Sequence, residues 1–233
     1  MSPMLNGLQA ALNQCCAIST RIVGQCWLCG QPCQLHCGCC QLCFADLPRP
    51  PPRNLRPLTS PDYCHTWLAA LYYQAPVEGW IKRFKFQAQP MLLRPFATLI
   101  AAQVIIYHKQ QRLALPDYIT AVPMSFQRWQ QRGYNQAQLL AEYLSELLGI
   151  PLMHTLELRR QSLHQHQLGK VSRLANMEGA YKVKSPVAAA HWAVVDDIIT
   201  TGATLTSAAL ALSHAGAEQV SGWALAYTPA EPD

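Results

Sequence analysis

Hydrophobic positions recur at helical spacing in three parts of the chain. The clearest stripe, of leucines and one tyrosine, runs through residues 136–148 and stops at Gly149. Residues 91–109 form a longer, almost uniformly apolar run that predicts a buried helix. A third stripe, of leucines and alanines, ends at Gly216 and predicts another helix.

Three apolar segments without helical spacing predict β-strands. Residues 117–122 form a short run before Pro123, and residues 219–226 form a last run near the end of the chain. Residues 192–195 are continuously apolar, as expected of a strand that is buried on both faces. Strands that alternate with helices pair in parallel through crossover helices. We therefore predict an α/β domain built on a doubly wound parallel sheet.

Composition and charge add a basic middle to this picture. The 233 residues are 50% hydrophobic and 13% charged, which suits one α/β domain with a small appendage. The net charge of +5 is concentrated, since residues 82–173 hold twelve Lys and Arg but only four Asp and Glu. Such a stretch suits an anionic ligand, such as pyrophosphate, phosphoribose or nucleic acid, although an ordinary solvated face has the same pattern.

The N-terminal residues and the apolar runs carry no targeting signal. Residues 1–13 lack the basic and then apolar order of a signal peptide. The most apolar run, 95–107, is shorter than the roughly 20 residues that a membrane-spanning helix needs. We expect no membrane span and a cytoplasmic protein, in which the ten cysteines are thiols or metal ligands rather than disulfides.

Four of the cysteines form two pairs of the Cys-x₂-Cys type. These are Cys26 with Cys29, and Cys40 with Cys43, and ten residues separate the pairs. Paired thiolates at this spacing suit tetrahedral zinc in an arrangement of the zinc-ribbon type. Other cysteines lie between the pairs, so the choice of four ligands is not unique, and a finger without metal remains the alternative.

The cysteine cluster and the prolines suggest four segments. Residues 1–25 have no assigned role, and residues 26–47 form a small zinc-finger-like module. Residues 48–62 are rich in proline, which predicts an extended linker. The main α/β domain then occupies residues 63–233.

Two adjacent acids and a loop of small residues follow the apolar run at 192–195. The acids are Asp196 and Asp197, and the loop consists of Thr200, Thr201, Gly202, Ala203 and Thr204. Ligands of open α/β sheets bind at the carboxyl ends of the strands, and a helix N-terminus favours phosphate. This layout suits a ribose phosphate whose two ring hydroxyls donate hydrogen bonds to the acids. A Walker B strand is the rival, but the chain lacks a complete Walker A loop.

This segment resembles the phosphoribosyl pyrophosphate (PRPP) signature of the type I phosphoribosyltransferases. The resemblance implies that Asp196 and Asp197 bind the 2′ and 3′ hydroxyls of ribose. It also implies that residues 200–204 bind the 5′-phosphate, and that Mg²⁺ arrives largely with the substrate.

Other motifs resemble a narrower family, the competence-associated, amidophosphoribosyltransferase-like ComF proteins and their GntX-like relatives. The resemblance covers most of residues 64–228. Its motifs are Val122–Met124, Arg132–Ala137, Lys82–Phe86 and the run of Gln165, Leu168, Arg173, Asn176, Gly179 and Tyr181, where the family commonly has Phe at the last position. It implies a PRPP-binding protein with an N-terminal zinc finger and a role in DNA uptake or utilisation. Catalysis by pentosyl transfer stays open, because no residue pattern names an acceptor.

The same resemblance assigns further residues to the site. Pyrophosphate contacts are expected from Met124, Ser125, Arg128, Arg132 and Lys85. From the residues alone, the alternative for Arg132 is a solvated helix-entry turn. The alternative for Lys85 is a solvated charge run, on a strand or a basic helical turn. Residues 159–176 predict a mobile loop that closes over the site, with Lys170 and Arg173 as its basic members.

A second hypothesis is a non-catalytic accessory factor that binds single-stranded DNA and keeps a regulatory or vestigial PRPP site. The zinc finger and the basic stretch would then contact the strand, and the helicase machinery of competence would be a partner. The candidates for base stacking are Trp27, Phe44, Phe84, Phe86 and Trp129.

Overall fold

A computed structural model describes residues 23–55, 63–86, 92–159 and 179–229. Its strands are β1 (Val23–Gln25), β2 (Pro32–Gln34), β3 (Thr66–Tyr72), β4 (Tyr118–Ala121), β5 (Leu156–Leu158), β6 (Tyr181–Val183), β7 (His191–Ile199) and β8 (Gln219–Tyr227). Its helices are α1 (Gln41–Ala45), α2 (Val77–Phe86), α3 (Leu93–Gln111), α4 (Phe126–Arg132), α5 (Gln136–Leu148) and α6 (Ala203–His214).

Four parallel strands form the central sheet, in the order β3-β8-β7-β4. The register of β7 against β8 runs from His191 opposite Gln219 to Ile199 opposite Tyr227. This arrangement confirms the predicted parallel α/β sheet. The strand β3 has no counterpart in the sequence prediction.

Helices cover both faces of this sheet. Helix α3 contacts β3 and β8, α5 contacts β4 and β7, and the two helices contact each other. Helix α6 contacts β6, β7 and β8. Residues 192–195 are all buried although their side chains alternate between the two faces, so the middle of β7 is covered from both sides.

Helix α5 has the bounds that its hydrophobic stripe predicts. It begins after Asn135, whose side-chain oxygen accepts a hydrogen bond from the Ala137 N–H at 3.1 Å. It ends at Gly149, which adopts the left-handed conformation with φ of 68°. A polar cap at one end and a glycine at the other are strong signals in any sequence.

The N-terminal module is a β1–β2 hairpin followed by α1. Its Trp27 ring lies against Gly38, where an added Cβ would come within 2.3 Å of the ring. The Trp27 ring also packs edge-on against the ring of Trp80 in α2, with 5.8 Å between the two centroids. Phe44 and Leu47 are buried in the same core cluster as the sheet. The module therefore packs directly on the main domain.

The described part of the proline-rich segment, residues 48–55, is attached to the edge of the sheet. The Tyr72 N–H donates to the Pro48 carbonyl at 2.7 Å, and the Leu55 N–H donates to the Trp67 carbonyl at 2.9 Å. The Gln103 amide of α3 donates to the Pro50 carbonyl at 3.2 Å. These bonds hold the segment along β3, while the boundaries of the four predicted segments stay predictions.

Strands β5 and β6 form an antiparallel hairpin, with Leu156 opposite Val183. The predicted mobile loop, with Lys170 and Arg173, joins these two strands and lies outside the described residues apart from Arg159. In the described ranges, no helix combines the length and the apolarity needed to cross a bilayer.

Candidate functional site

Strand β7 carries the two predicted acids within it, near its carboxyl end. The apolar run stops at Val195, but the pairing with β8 continues, with Asp196 opposite Ala224 and the last pair at Ile199. Both acids are half-buried. The Asp197 N–H donates to the Asp196 carboxylate at 2.8 Å, which fixes the first side chain against the strand.

Burial and a neighbouring charge shift the ionisation of Asp196. Burial, and then the neighbouring Asp197 carboxylate, raise the pKa of Asp196 to about 7. The bond from the Asp197 N–H and the cationic side chains of Lys85 and Arg128 act in the opposite direction, and they do not fully offset the rise. A half-buried acid pair of this kind suits a ligand that supplies a cation or hydroxyl donors.

A glycine-capped helix begins directly after β7. Gly202 is the residue before α6 and has a φ of 78°, a left-handed conformation that favours glycine. It offers no side-chain cap to the helix, and the Ala203 N–H reaches only the Thr201 hydroxyl, at 3.4 Å. Thr200 and Thr201 are exposed. The loop therefore presents hydroxyls and the positive end of a helix dipole to an anion.

Lys85 lies in the last turn of α2 and reaches the acids. Its Nζ is 2.9 Å from the Asp197 Oδ2, and each of the two side chains is 16% exposed. Residues 82–86 are thus part of a helix, which settles the choice between strand and helical turn. The sequence motif and the acid pair, distant along the chain, meet in one site.

The motif at residues 132–137 holds the end of α2 against the end of β4. The Tyr134 hydroxyl donates to the Phe84 carbonyl, and the Gln136 amide donates to the Lys85 carbonyl at 3.5 Å. The Asn135 amide donates to the Val122 carbonyl at 2.9 Å. These bonds fix the backbone at Lys85, so the motif positions the cation beside the acids.

The other predicted pyrophosphate contacts surround the start of α4. The Ser125 hydroxyl caps this helix by accepting from the Arg128 N–H at 3.4 Å. Met124 lies beside it and lines a cavity. The Arg132 guanidinium lies over the Phe86 ring, 5.1 Å from its centroid, and donates to the Gln136 side chain at 3.1 Å. Of the two arginines, Arg128 is the one whose charge acts on Asp196.

Tyr181 of β6 is a neighbour of the acids that the sequence analysis did not assign to the site. It is buried, and burial together with the Asp196 charge raises the pKa of its hydroxyl, while Arg128 lowers it. It follows the loop at 159–176, so no spacing within a motif connects it to Asp196. The fold of the β5–β6 hairpin brings it there.

The four predicted cysteines come together at the N-terminal module. The Sγ atoms of Cys26, Cys29, Cys40 and Cys43 all lie within 4.8 Å of one another. The Cys29 and Cys40 sulfurs are 3.9 Å apart. Sulfurs around a tetrahedral zinc, each about 2.3 Å from the metal, have about this separation. Among the described residues, the cysteines between the two pairs do not belong to this group of four. The four thiols can hold a metal ion such as zinc.

Comparison with known proteins identifies the family. The chain is 30% identical over 223 residues to the DNA utilization protein YhgH of Salmonella typhimurium, covering 89% of this chain and 98% of that protein. It is 36% identical over 160 residues to competence protein F of Haemophilus influenzae, covering 66% of this chain and 69% of that protein. The chain belongs to the ComF family. This confirms the family that the motifs at residues 82–86, 122–124 and 132–137 resemble.

Two further comparisons complete the description of this ComF-family chain. No family model matches it. A purine phosphoribosyltransferase from Pyrococcus horikoshii overlaps 56% of this chain and 76% of its own, with 20% identity and a TM-score of 0.34. That overlap is partial, and the α/β architecture is defined by the strand pairings given above.

Proposed function

We propose that this ComF-family protein binds PRPP together with Mg²⁺ at the carboxyl end of β7. The observation that carries the proposal is the order of features on one strand. Two half-buried acids, of which Asp197 contacts Lys85, are followed by a glycine-capped helix N-terminus. A diol and a phosphate joined by a single sugar match this order.

Each part of the ligand has a partner of suitable chemistry. Asp196 and Asp197 accept hydrogen bonds from the ribose hydroxyls, and residues 200–204 donate to the 5′-phosphate. Lys85 and Arg128 supply positive charge for the pyrophosphate, since both already act on Asp196. Binding requires Lys85 to exchange its contact with Asp197 for the ligand, which leaves the acid available to the sugar.

Magnesium and zinc suit different parts of the chain. The carboxylates of Asp196 and Asp197 are the groups of this site that would hold a hard cation such as Mg²⁺, which would neutralise charge on the bound ligand. Zinc fits the four thiols of the N-terminal module, where it stabilises a fold that has little core of its own.

The test is calorimetric titration of the protein with PRPP, with and without Mg²⁺. We expect Asp196→Asn combined with Asp197→Asn to abolish binding while the far-UV circular dichroism stays unchanged. The exposed Glu146→Gln on α5 serves as the matched control and should bind like the parent. Equal affinity in the double variant and the parent would overturn the site.

A second candidate function, supported by the name of the YhgH relative, is DNA handling without catalysis. The basic stretch and the zinc module would contact single-stranded DNA in the cytoplasm, next to the helicase machinery of competence. Pyrophosphate release in the presence of PRPP and ammonia, glutamine or free bases shows whether PRPP binding leads to turnover. Release makes the protein a phosphoribosyltransferase, and binding without release favours the accessory factor.

A further inference from the structure

Helix α4 displays two aromatic side chains although it buries none of its residues. Phe126 is 71% exposed and Trp129 is 50% exposed, and both lie on one side of the helix, three residues apart. Their rings are stacked, with centroids 6.2 Å apart and planes inclined by 14°. Neither ring belongs to the core, so the two nearly parallel rings form an exposed aromatic surface.

This aromatic surface forms one wall of a cavity of about 370 Å³. The loop at Met124 forms a second wall, and the base of the β5–β6 hairpin, with His154 and Lys184, forms a third. A cavity of this size is in the range of small-molecule sites, which lies near 300–1,000 Å³. All of these lining residues belong to the part of the chain that the structure describes.

The polar groups of the cavity complement an aromatic ligand that carries a phosphate. Gln138 donates to Glu142 at 2.9 Å, a bond that does not use its amide oxygen. His154 offers an imidazole, and both it and Lys184 are exposed. The backbone of Lys184 is fixed by a 2.9 Å bond from its N–H to the Thr155 carbonyl. Stacking rings, an amide, an imidazole and an ammonium group are what a nucleotide needs.

We propose that this cavity binds the nucleobase of a nucleotide, stacked on Trp129 and Phe126, with its phosphate near Lys184. The cavity lies beside the PRPP site but does not share its acids, because its lining includes neither Asp196 nor Asp197. Met124 borders both sites, and base binding can be tested separately from PRPP binding because the two acids lie outside the cavity.

The experiment measures binding of adenosine monophosphate and of a short oligothymidylate to the full chain by calorimetry. Trp129→Ala and Phe126→Ala should each weaken binding about tenfold, the effect expected when one base loses a stacking partner. Leu113→Ala, a 50% exposed apolar residue outside this cavity, is the matched control and should bind like the parent. Exposed positions tolerate such changes, and a thermal melt checks that each variant is folded.

The two probes distinguish a free nucleotide from a base within a DNA strand. A loss with the mononucleotide supports a site for a free nucleotide, and a loss seen only with the oligothymidylate supports a site for a base of a strand. Binding of neither probe, or equal binding by the parent and both aromatic variants, overturns the proposal. The Asp196→Asn, Asp197→Asn variant should keep base binding, so failure of the PRPP site and failure of this cavity are distinguishable.

Discussion

At the scale of single residues, Asp196 connects the candidate site to the pH dependence of folding. Its pKa is raised from 3.8 to about 7 in the folded chain, first by burial and then by Asp197. Between these two values the folded state binds more protons than the unfolded state. The free energy of unfolding should therefore fall as the pH rises through this window.

The variant Asp196→Asn tests this pH dependence. The parent should lose stability between about pH 4 and about pH 7, and the variant should lack the share of that loss that comes from this carboxyl. Asparagine keeps a side-chain oxygen for the Asp197 N–H, so the strand is preserved. Urea unfolding at a series of pH values measures the slopes. The same slope in variant and parent would show that Asp196 ionises at its ordinary pKa.

The residues that a motif contains could be predicted, and those that only the fold assembles could not. Asp196, Asp197 and the loop at 200–204 are adjacent in sequence, so one segment shows the whole arrangement. The family resemblance implies a pyrophosphate contact for Lys85, but its 2.9 Å contact with Asp197 has no signal in the sequence. Tyr181 belongs to a family-like run, but nothing in that run predicts its proximity to Asp196, because the two residues lie on different strands.

At the scale of secondary-structure elements, amphipathic helices were easier to predict than buried strands. Helix α5 has one apolar and one polar face and has caps at both ends, so its bounds followed from the sequence. Strand β3 is buried along nearly its whole length, and it shows no alternation. A short apolar run of this kind has no period that separates strand from helix. In β7, hydrogen bonding to β8 continues past the point where the apolar pattern stops.

Asn135 links two elements and gives a prediction at this scale. Its side chain caps α5 through the Ala137 N–H and also donates to the Val122 carbonyl at the end of β4. Asn135→Ala should remove both bonds and lower the free energy of unfolding by about 1–2 kcal/mol. Urea unfolding provides the measurement.

Two further variants make the Asn135 experiment specific. Asn135→Asp keeps an oxygen for the cap but loses the donor to Val122, so it should cost less than alanine. Glu146→Ala, exposed on the same helix, should leave the unfolding midpoint nearly unchanged. If alanine at position 135 is as mild as at position 146, the bond to Val122 does not hold α5 to the sheet.

At the scale of the whole molecule, the cysteine module and the α/β domain share one hydrophobic core. Trp27 fits between Gly38 of the module and Trp80 of α2, and Phe44 is buried in the common cluster. Helix α2 also carries Lys85, which contacts Asp197. A contact path through one helix therefore leads from the module to the candidate site, and the conformation of the module bears on the stability of the rest.

Removal of the metal should consequently destabilise the whole chain. Cys26→Ser and Cys43→Ser should each release one zinc per chain and lower the melting temperature of a single common transition, because the apolar contacts of Trp27 and Phe44 depend on the folded module. Cys33→Ser, outside the group of four, should keep its zinc and its melting temperature. Elemental analysis and calorimetry give both quantities.

Equal zinc in Cys43→Ser and the parent would exclude Cys43 as a ligand. An unchanged melting temperature after metal loss would show that the module and the sheet unfold independently.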